Sequence, residues 1–133
     1  MSLRKDLGPL TNVDLLECVD LLKIKNFRGV FMRDTLPCKI LSHEVGIVNL
    51  DSSQNKGTHW VCYKKSKERR YYFDSFGLDP PEELITYLKG SPKDSPKNSE
   101  DIDKNKIIEF STFQIQDFGT HQCGYYCLLI LKL

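Results

Sequence analysis

A chain of 133 residues that is 40% hydrophobic and 11% aromatic has the apolar material for one core and reads as a single domain over 1–133. A formal net charge of +1 argues against a protein that coats nucleic acid or an anionic membrane, because such proteins carry a strong basic footprint. The five cysteines, Cys18, Cys38, Cys62, Cys123 and Cys127, are an odd number with no apolar signal segment ahead of them. That disfavours a secreted disulfide framework and predicts an intracellular, reducing setting, and no apolar run approaches the roughly 20 residues that cross a bilayer.

In chain order, residues 1–10 read as a mobile start. Thr11-Asn12-Val13-Asp14 offers N-cap candidates for a helix over 13–22, whose apolar positions recur at helical spacing. The 27–37 segment reads as irregular, a short strand or a turn. Residues 44–50, 59–64 and 70–74 read as three strands, the last two joined by a hairpin through the charged run Lys64 to Arg70. Pro80-Pro81-Glu82-Glu83 ahead of Leu84, Ile85, Tyr87 and Leu88 predicts a helix with proline and acids at its start and Gly90 at its end. The polar 91–106 segment predicts a surface loop. Short strands over 107–110 and 113–116 and a turn through 117–122 then lead to a helix that starts at Cys123.

That helix start carries the chemistry. Cys123 and Gly124 stand directly before the apolar run Tyr125 to Leu131, and the unpaired N–H groups and dipole of a helix N-terminus favour a thiolate. Thiolate acyl transfer needs a nucleophile, a base, a group that orients the base, and donors for the oxyanion. Cys123, His59 and Asp74 supply the first three. A hairpin closing across Lys67 would set His59 opposite Asp74 or its neighbour, and the Gln116 amide could join the Cys123 N–H as the oxyanion donors.

Other readings compete for the same residues. Cys18, Cys38, Cys62 and Cys127 read as core thiols. A zinc set drawn from His59, Cys62, His121, Cys123 and Cys127 fails because i and i+3 on a strand face opposite sides, so no metal is expected. The four-residue spacing of Cys123 and Cys127 does not match the Cys-x-x-Cys redox motif. Lys64 to Arg70 reads as a solvated turn, with weak DNA contact as its functional alternative.

Three motifs, Gly57-Thr58-His59-Trp60, Tyr72-Phe73-Asp74-Ser75-Phe76-Gly77, and Gln116 followed by Cys123-Gly124-Tyr125-Tyr126-Cys127, resemble the adenovirus-type cysteine endopeptidases (adenain). That family shares its fold with the SUMO and other ubiquitin-like-protein proteases. The resemblance spans roughly residues 10–133. It implies an α+β papain-like fold, a small sheet flanked by helices, and a thiol protease whose catalytic residues are His59, Asp74, Gln116 and Cys123. It also implies Trp60 and Gly124 as substrate-binding residues, Trp60 lining a narrow channel that admits a glycine-containing main chain.

Asp74 is the acid of the SUMO branch, where adenovirus enzymes carry Glu, whereas Ser75-Phe76-Gly77 and the Cys123 to Cys127 pattern look adenoviral. Gln122 stands where the SUMO branch usually has Asp. The balance implies a viral-type enzyme, virus-like DNA transposons included, processing structural precursors as a monomer in the nucleus, cytoplasm or virion and away from membranes. Adenovirus enzymes use an activating peptide and DNA, so these are the cofactors the resemblance implies. No Cys lies between Ser75 and Gln122 to hold such a peptide by a disulfide. An isopeptidase for ubiquitin-like modifiers, and a silent domain that binds peptide or DNA, are the alternatives.

Overall fold

The structure, a computed structural model, describes residues 10–51, 59–90, 107–116 and 122–133. The expected loop over 91–106, the Gly57-Thr58 lead-in and His121 lie outside the described residues. Helix α1 (Asn12–Leu22) starts on a capping box in which Thr11 Oγ1 accepts from the Asp14 N–H at 3.1 Å and Asp14 Oδ2 accepts from the Thr11 N–H at 2.9 Å. Helix α2 (Glu82–Lys89) follows Pro81 and stops at Gly90, as the prolines and acids predict. Helix α3 runs over Cys123–Lys132.

Five strands, β1 (Phe27–Met32), β2 (Glu44–Asn49), β3 (Trp60–Lys65), β4 (Arg70–Phe73) and β5 (Ile108–Phe110), lie side by side in chain order. The outer pairs, β1 with β2 and β4 with β5, are parallel; the inner pairs are antiparallel. The sheet is therefore mixed, and the fold is α+β. The 27–37 segment contains a full strand. Arg28 and Gly29 weaken its β signature, and pairing with β2 rather than local propensity makes it one. Residues 113–116 form no ladder; the Ile115 and Gln116 N–H groups both donate to the Ser75 carbonyl instead, at 2.9 and 3.0 Å.

Side chains that alternate along the central strands feed two cores. On one face Val45, Ile47, Trp60, Cys62 and Phe73 pack with Leu15 and Val19 of α1 and Cys123, Cys127, Leu128 and Leu131 of α3. On the other, Val48, Val61, Tyr63 and Tyr72 meet Leu84, Tyr87 and Leu88 of α2. The buried set of α3, spaced by three and four residues, is one helix stripe. It lays the helix on β3 so that Cys123 stands beside Trp60, the first residue of that strand.

The second core holds a buried carboxylate. Glu44 is 1% exposed and accepts from Tyr63 OH at 2.5 Å, Tyr87 OH at 2.8 and 2.9 Å, Arg28 Nη1 at 3.3 Å and the Leu41 N–H at 2.8 Å. Gly46 makes room for this cluster, since a Cβ there would lie 2.7 Å from the Tyr63 ring.

The core reading holds for Cys62 and Cys127, which are fully buried, and Cys18 packs half-buried against the first core, but Cys38, in the irregular stretch after Pro37, is exposed. The charged Lys64 to Arg70 run is not simply a solvated turn. Lys65 and Arg70 are buried, where Lys65 Nζ donates to Leu41 O at 2.7 Å and Arg70 Nε to Leu88 O at 3.1 Å. Arg69 makes a two-point ion pair with Glu109 at 2.9 and 3.0 Å.

Candidate active site

His59 immediately precedes β3, Asp74 immediately follows β4, and Cys123 is the first residue of α3. His59 is tied to β2 through its carbonyl, which accepts from the Leu50 N–H at 2.9 Å. The β3–β4 hairpin pairs Lys65 with Arg70 and Cys62 with Phe73, so it closes between Lys67 and Glu68 rather than across Lys67. Carried on, that register sets Phe76, not Asp74, against His59, and the Phe76 ring does stack on the imidazole with centroids 4.1 Å apart and planes 7° from parallel. Asp74 reaches the histidine diagonally, Oδ1 lying 2.6 Å from His59 Nε2.

The turn after β4 is what aims the carboxylate. Oδ1 also accepts from the Phe76 N–H at 2.9 Å, and the Asp74 carbonyl accepts from the Gly77 N–H at 2.8 Å. Gly77 has φ +76°, and a Cβ there would sit 2.7 Å from the Thr112 carbonyl, so both backbone and space require glycine. Asp74 is 1% exposed, and its Oδ2 is buried with no hydrogen-bond partner among the described residues. A carboxylate held this way gains strongly from a cationic neighbour.

With Nε2 on Asp74, Nδ1 is the ring nitrogen left for Cys123. The thiol also accepts from the Trp60 N–H at 3.3 Å. Burial pulls the His59 pKa down, but hydrogen bonds to Asp74 and then Cys123 outweigh it, and the value rises to about 9. For Cys123 burial pushes the pKa up, and hydrogen bonds from His59 and the Trp60 N–H, the His59 charge and the Gly124 N–H together bring it below the ordinary thiol value. The two shifts have opposite sign and share the His59–Cys123 contact, and both act in favour of a thiolate–imidazolium pair. Cys127, on the same stripe of α3, goes the other way: full burial and its contact with Cys62 push its thiol well up.

Gln116 arrives by a different route. It is 2% exposed, anchored to Ser75 by the main-chain hydrogen bond described above and by Ser75 Oγ, which donates to Gln116 Oε1 at 2.5 Å. The residue is thus packed on the same turn that aims Asp74.

Trp60 and Gly124, the two expected substrate-binding residues, both lie against the N-terminal packing. Trp60 is 8% exposed within the first core, and its indole N–H donates to Leu10 O at 2.9 Å. A Cβ on Gly124 would lie 3.1 Å from Leu10 Cδ1 and 3.4 Å from Leu15 Cδ2. Both residues therefore face the N-terminal packing around Leu10, and what they turn toward the thiol is main-chain N–H. The stacking of Phe76 on His59 and the two backbone donors to Cys123 escaped the sequence reading. The displaced hairpin register was the one signal that could have shown Phe76.

In fold the chain is similar to a viral protease. The crystal structure of ASFV pS273R protease superposes with a TM-score of 0.61 at 16% identity, covering 98% of this chain and 59% of that one. The selenomethionine form gives a TM-score of 0.54, again at 16% identity, covering 98% of this chain and 60% of that chain. This chain therefore spans about 60% of the length of the proteins it matches. No protein-family model and no curated protein matches it.

Proposed function

We propose that the chain is a cysteine endopeptidase of the adenain and ubiquitin-like-protease type, cleaving at glycine-containing sites in viral or virus-like structural precursors. The observation that carries this reading is the buried His59–Asp74 hydrogen bond beside a thiol at the first position of a helix. A protease with the same fold supports it, and the glycine preference rests on the resemblance of the motifs.

In this mechanism the Cys123 thiolate attacks the scissile carbonyl carbon, and the oxygen takes up the negative charge. The Cys123 N–H and the Gln116 amide stabilise that charge; one such donor is typically worth about 10²–10³ in rate. The C–N bond then breaks, and the imidazolium of His59 passes its proton to the leaving amine. Water, deprotonated by the now neutral His59, attacks the thioester carbonyl carbon, the C–S bond breaks to release the carboxylic acid product, and the thiolate–imidazolium pair is restored. Asp74 holds Nε2 throughout and stabilises the cation that precedes proton transfer.

The test is turnover of a fluorogenic peptide library varied at the two residues before the scissile bond, with wild type and Cys123→Ala compared, each with and without DNA. Glycine-dependent turnover that disappears in the variant is expected. Silence toward every peptide together with an adduct to a C-terminally activated SUMO or ubiquitin probe would replace the endopeptidase with an isopeptidase. Silence toward both would leave a binding domain.

A further inference from the structure

Asp74 and Ser75 are consecutive, each 1% exposed, and serve different partners. Asp74 takes the imidazole, whereas Ser75 takes Gln116 through two hydrogen bonds and its neighbour Ile115 through a third. Its carbonyl accepts from the Ile115 and Gln116 N–H groups, and its hydroxyl donates to Gln116 Oε1. The Gln116 carbonyl is held in turn by Gln114 Nε2 at 2.9 Å. Main chain and side chain of Gln116 are thus both held, each by a hydrogen bond to Ser75.

An amide side chain has two chemically opposite ends of nearly identical shape, and rotation about its last torsion is soft. As an oxyanion donor it works only with the NH2 end forward, because the carbonyl end would set oxygen against a developing negative charge. A neighbour that engages Oε1 therefore decides whether the residue assists or opposes the reaction. The Ser75 hydroxyl, buried and within hydrogen-bond reach of that atom, is such a neighbour.

We propose that Ser75 is a positioning residue: its hydroxyl holds Gln116 Oε1 on the Asp74 turn and so orients the amide NH2 toward the oxyanion formed at Cys123. The proposal rests on the endopeptidase reading and deepens it, because one dipeptide, Asp74-Ser75, then sets both the base and the oxyanion donor. Ser75 touches no reacting atom itself.

The reaction offers a way to separate orientation of Gln116 from general support of the turn. Alkylation of Cys123 by iodoacetamide displaces iodide at a saturated carbon and forms no oxyanion, so it reads the thiolate alone. Peptide cleavage reads both. Wild type, Ser75→Ala, Ser75→Thr, Gln116→Ala and the double variant Ser75→Ala/Gln116→Ala are assayed with a fluorogenic peptide carrying Gly before the scissile bond, and with iodoacetamide. Ser75→Ala is expected to lose about 10-fold to 10²-fold in kcat, a fraction of the full donor effect, with KM and the alkylation rate near wild type. Ser75→Thr, which keeps the hydroxyl, restores most of kcat, and the double variant is no slower than Gln116→Ala alone.

Unchanged kcat in Ser75→Ala, additive losses in the double variant, or a parallel fall in alkylation each overturn the proposal. Gln116→Glu covers the case in which Ser75→Ala does not fold. Glutamate still accepts from Ser75 but brings no N–H, so kcat must fall to the Gln116→Ala level, and a retained kcat overturns the proposal as well. Failure of the endopeptidase reading looks different: wild type itself cleaves no peptide. An active wild type matched by Ser75→Ala removes only the role of Ser75.

Discussion

Two buried carboxylates sit on this sheet, and their surroundings differ in one respect. Glu44 has both oxygens engaged by two tyrosine hydroxyls, a guanidinium and a main-chain N–H. Among the described residues, the Asp74 carboxylate has both of its hydrogen bonds on Oδ1, while Oδ2 is buried without a partner. A fully satisfied buried polar group rigidifies a core. A partly satisfied one keeps its field for a neighbour, and here that neighbour is a histidine in contact with a thiol. In the proposed protease the same chemical group, equally buried, braces the fold at one place and tunes a nucleophile at the other.

The largest break in that comparison is Cys123→Ala. Removing a nucleophile typically costs about 10⁴-fold or more in kcat, and peptide turnover should vanish to that extent while urea unfolding stays near wild type.

Asp74→Asn is next. Its amide still occupies the site but no longer supports the imidazolium, and a comparable change in a Ser-His-Asp enzyme costs about 10⁴-fold; a loss of 10²-fold or more in kcat is expected. The pH profile sharpens the point. His59 is raised from 6.5 to about 9, so its proton contributes stability in full below pH 6.5 that is lost as pH rises through about 9. Cys123 is lowered, so its contribution is lost as pH falls through its folded value. Activity should accordingly fall on the alkaline side near pH 9, where the imidazolium loses its proton. In Asp74→Asn that limb should move to lower pH. An alkaline limb that stays in place would separate Asp74 from the histidine.

Glu44→Ala tests the opposite member. It leaves two tyrosine hydroxyls and the Arg28 guanidinium without their acceptor, and breaking a buried ion pair costs about 3–5 kcal/mol. Urea unfolding should show a loss of that order, with kcat of the folded fraction close to wild type. Tyr87→Phe removes one hydroxyl from the same carboxylate and should cost about 1 kcal/mol with no change in the pH profile. A shift in the profile from either variant would mean that the two clusters are coupled across the sheet.

The sequence made the helices legible because their signals are local: Thr11 with Asp14, Pro81 with the acids after it, and the stripe from Cys123 to Leu131. It also pointed to His59, Asp74, Gln116 and Cys123, because the chemistry of acyl transfer restricts which residue types can serve. It left β1 open between a strand and a turn, because Arg28 and Gly29 look unlike a strand until β2 pairs with them. It misread Lys65 and Arg70 as solvated, since a cation's burial depends on carbonyls supplied by Leu41 and Leu88 from other segments.

What the sequence by itself determined is therefore the set of groups available and the elements that local periodicity and capping specify. Tertiary structure alone decided which atoms meet: that the hairpin closes between Lys67 and Glu68 and lays Phe76 on His59, that Asp74 reaches Nε2 diagonally, and that Trp60 and Gly124 turn inward to Leu10. The physical reason is that a register, a stacking and a hydrogen bond between residues far apart in the chain are set by how whole faces pack, and no local pattern encodes the packing of a partner that lies elsewhere in the sequence.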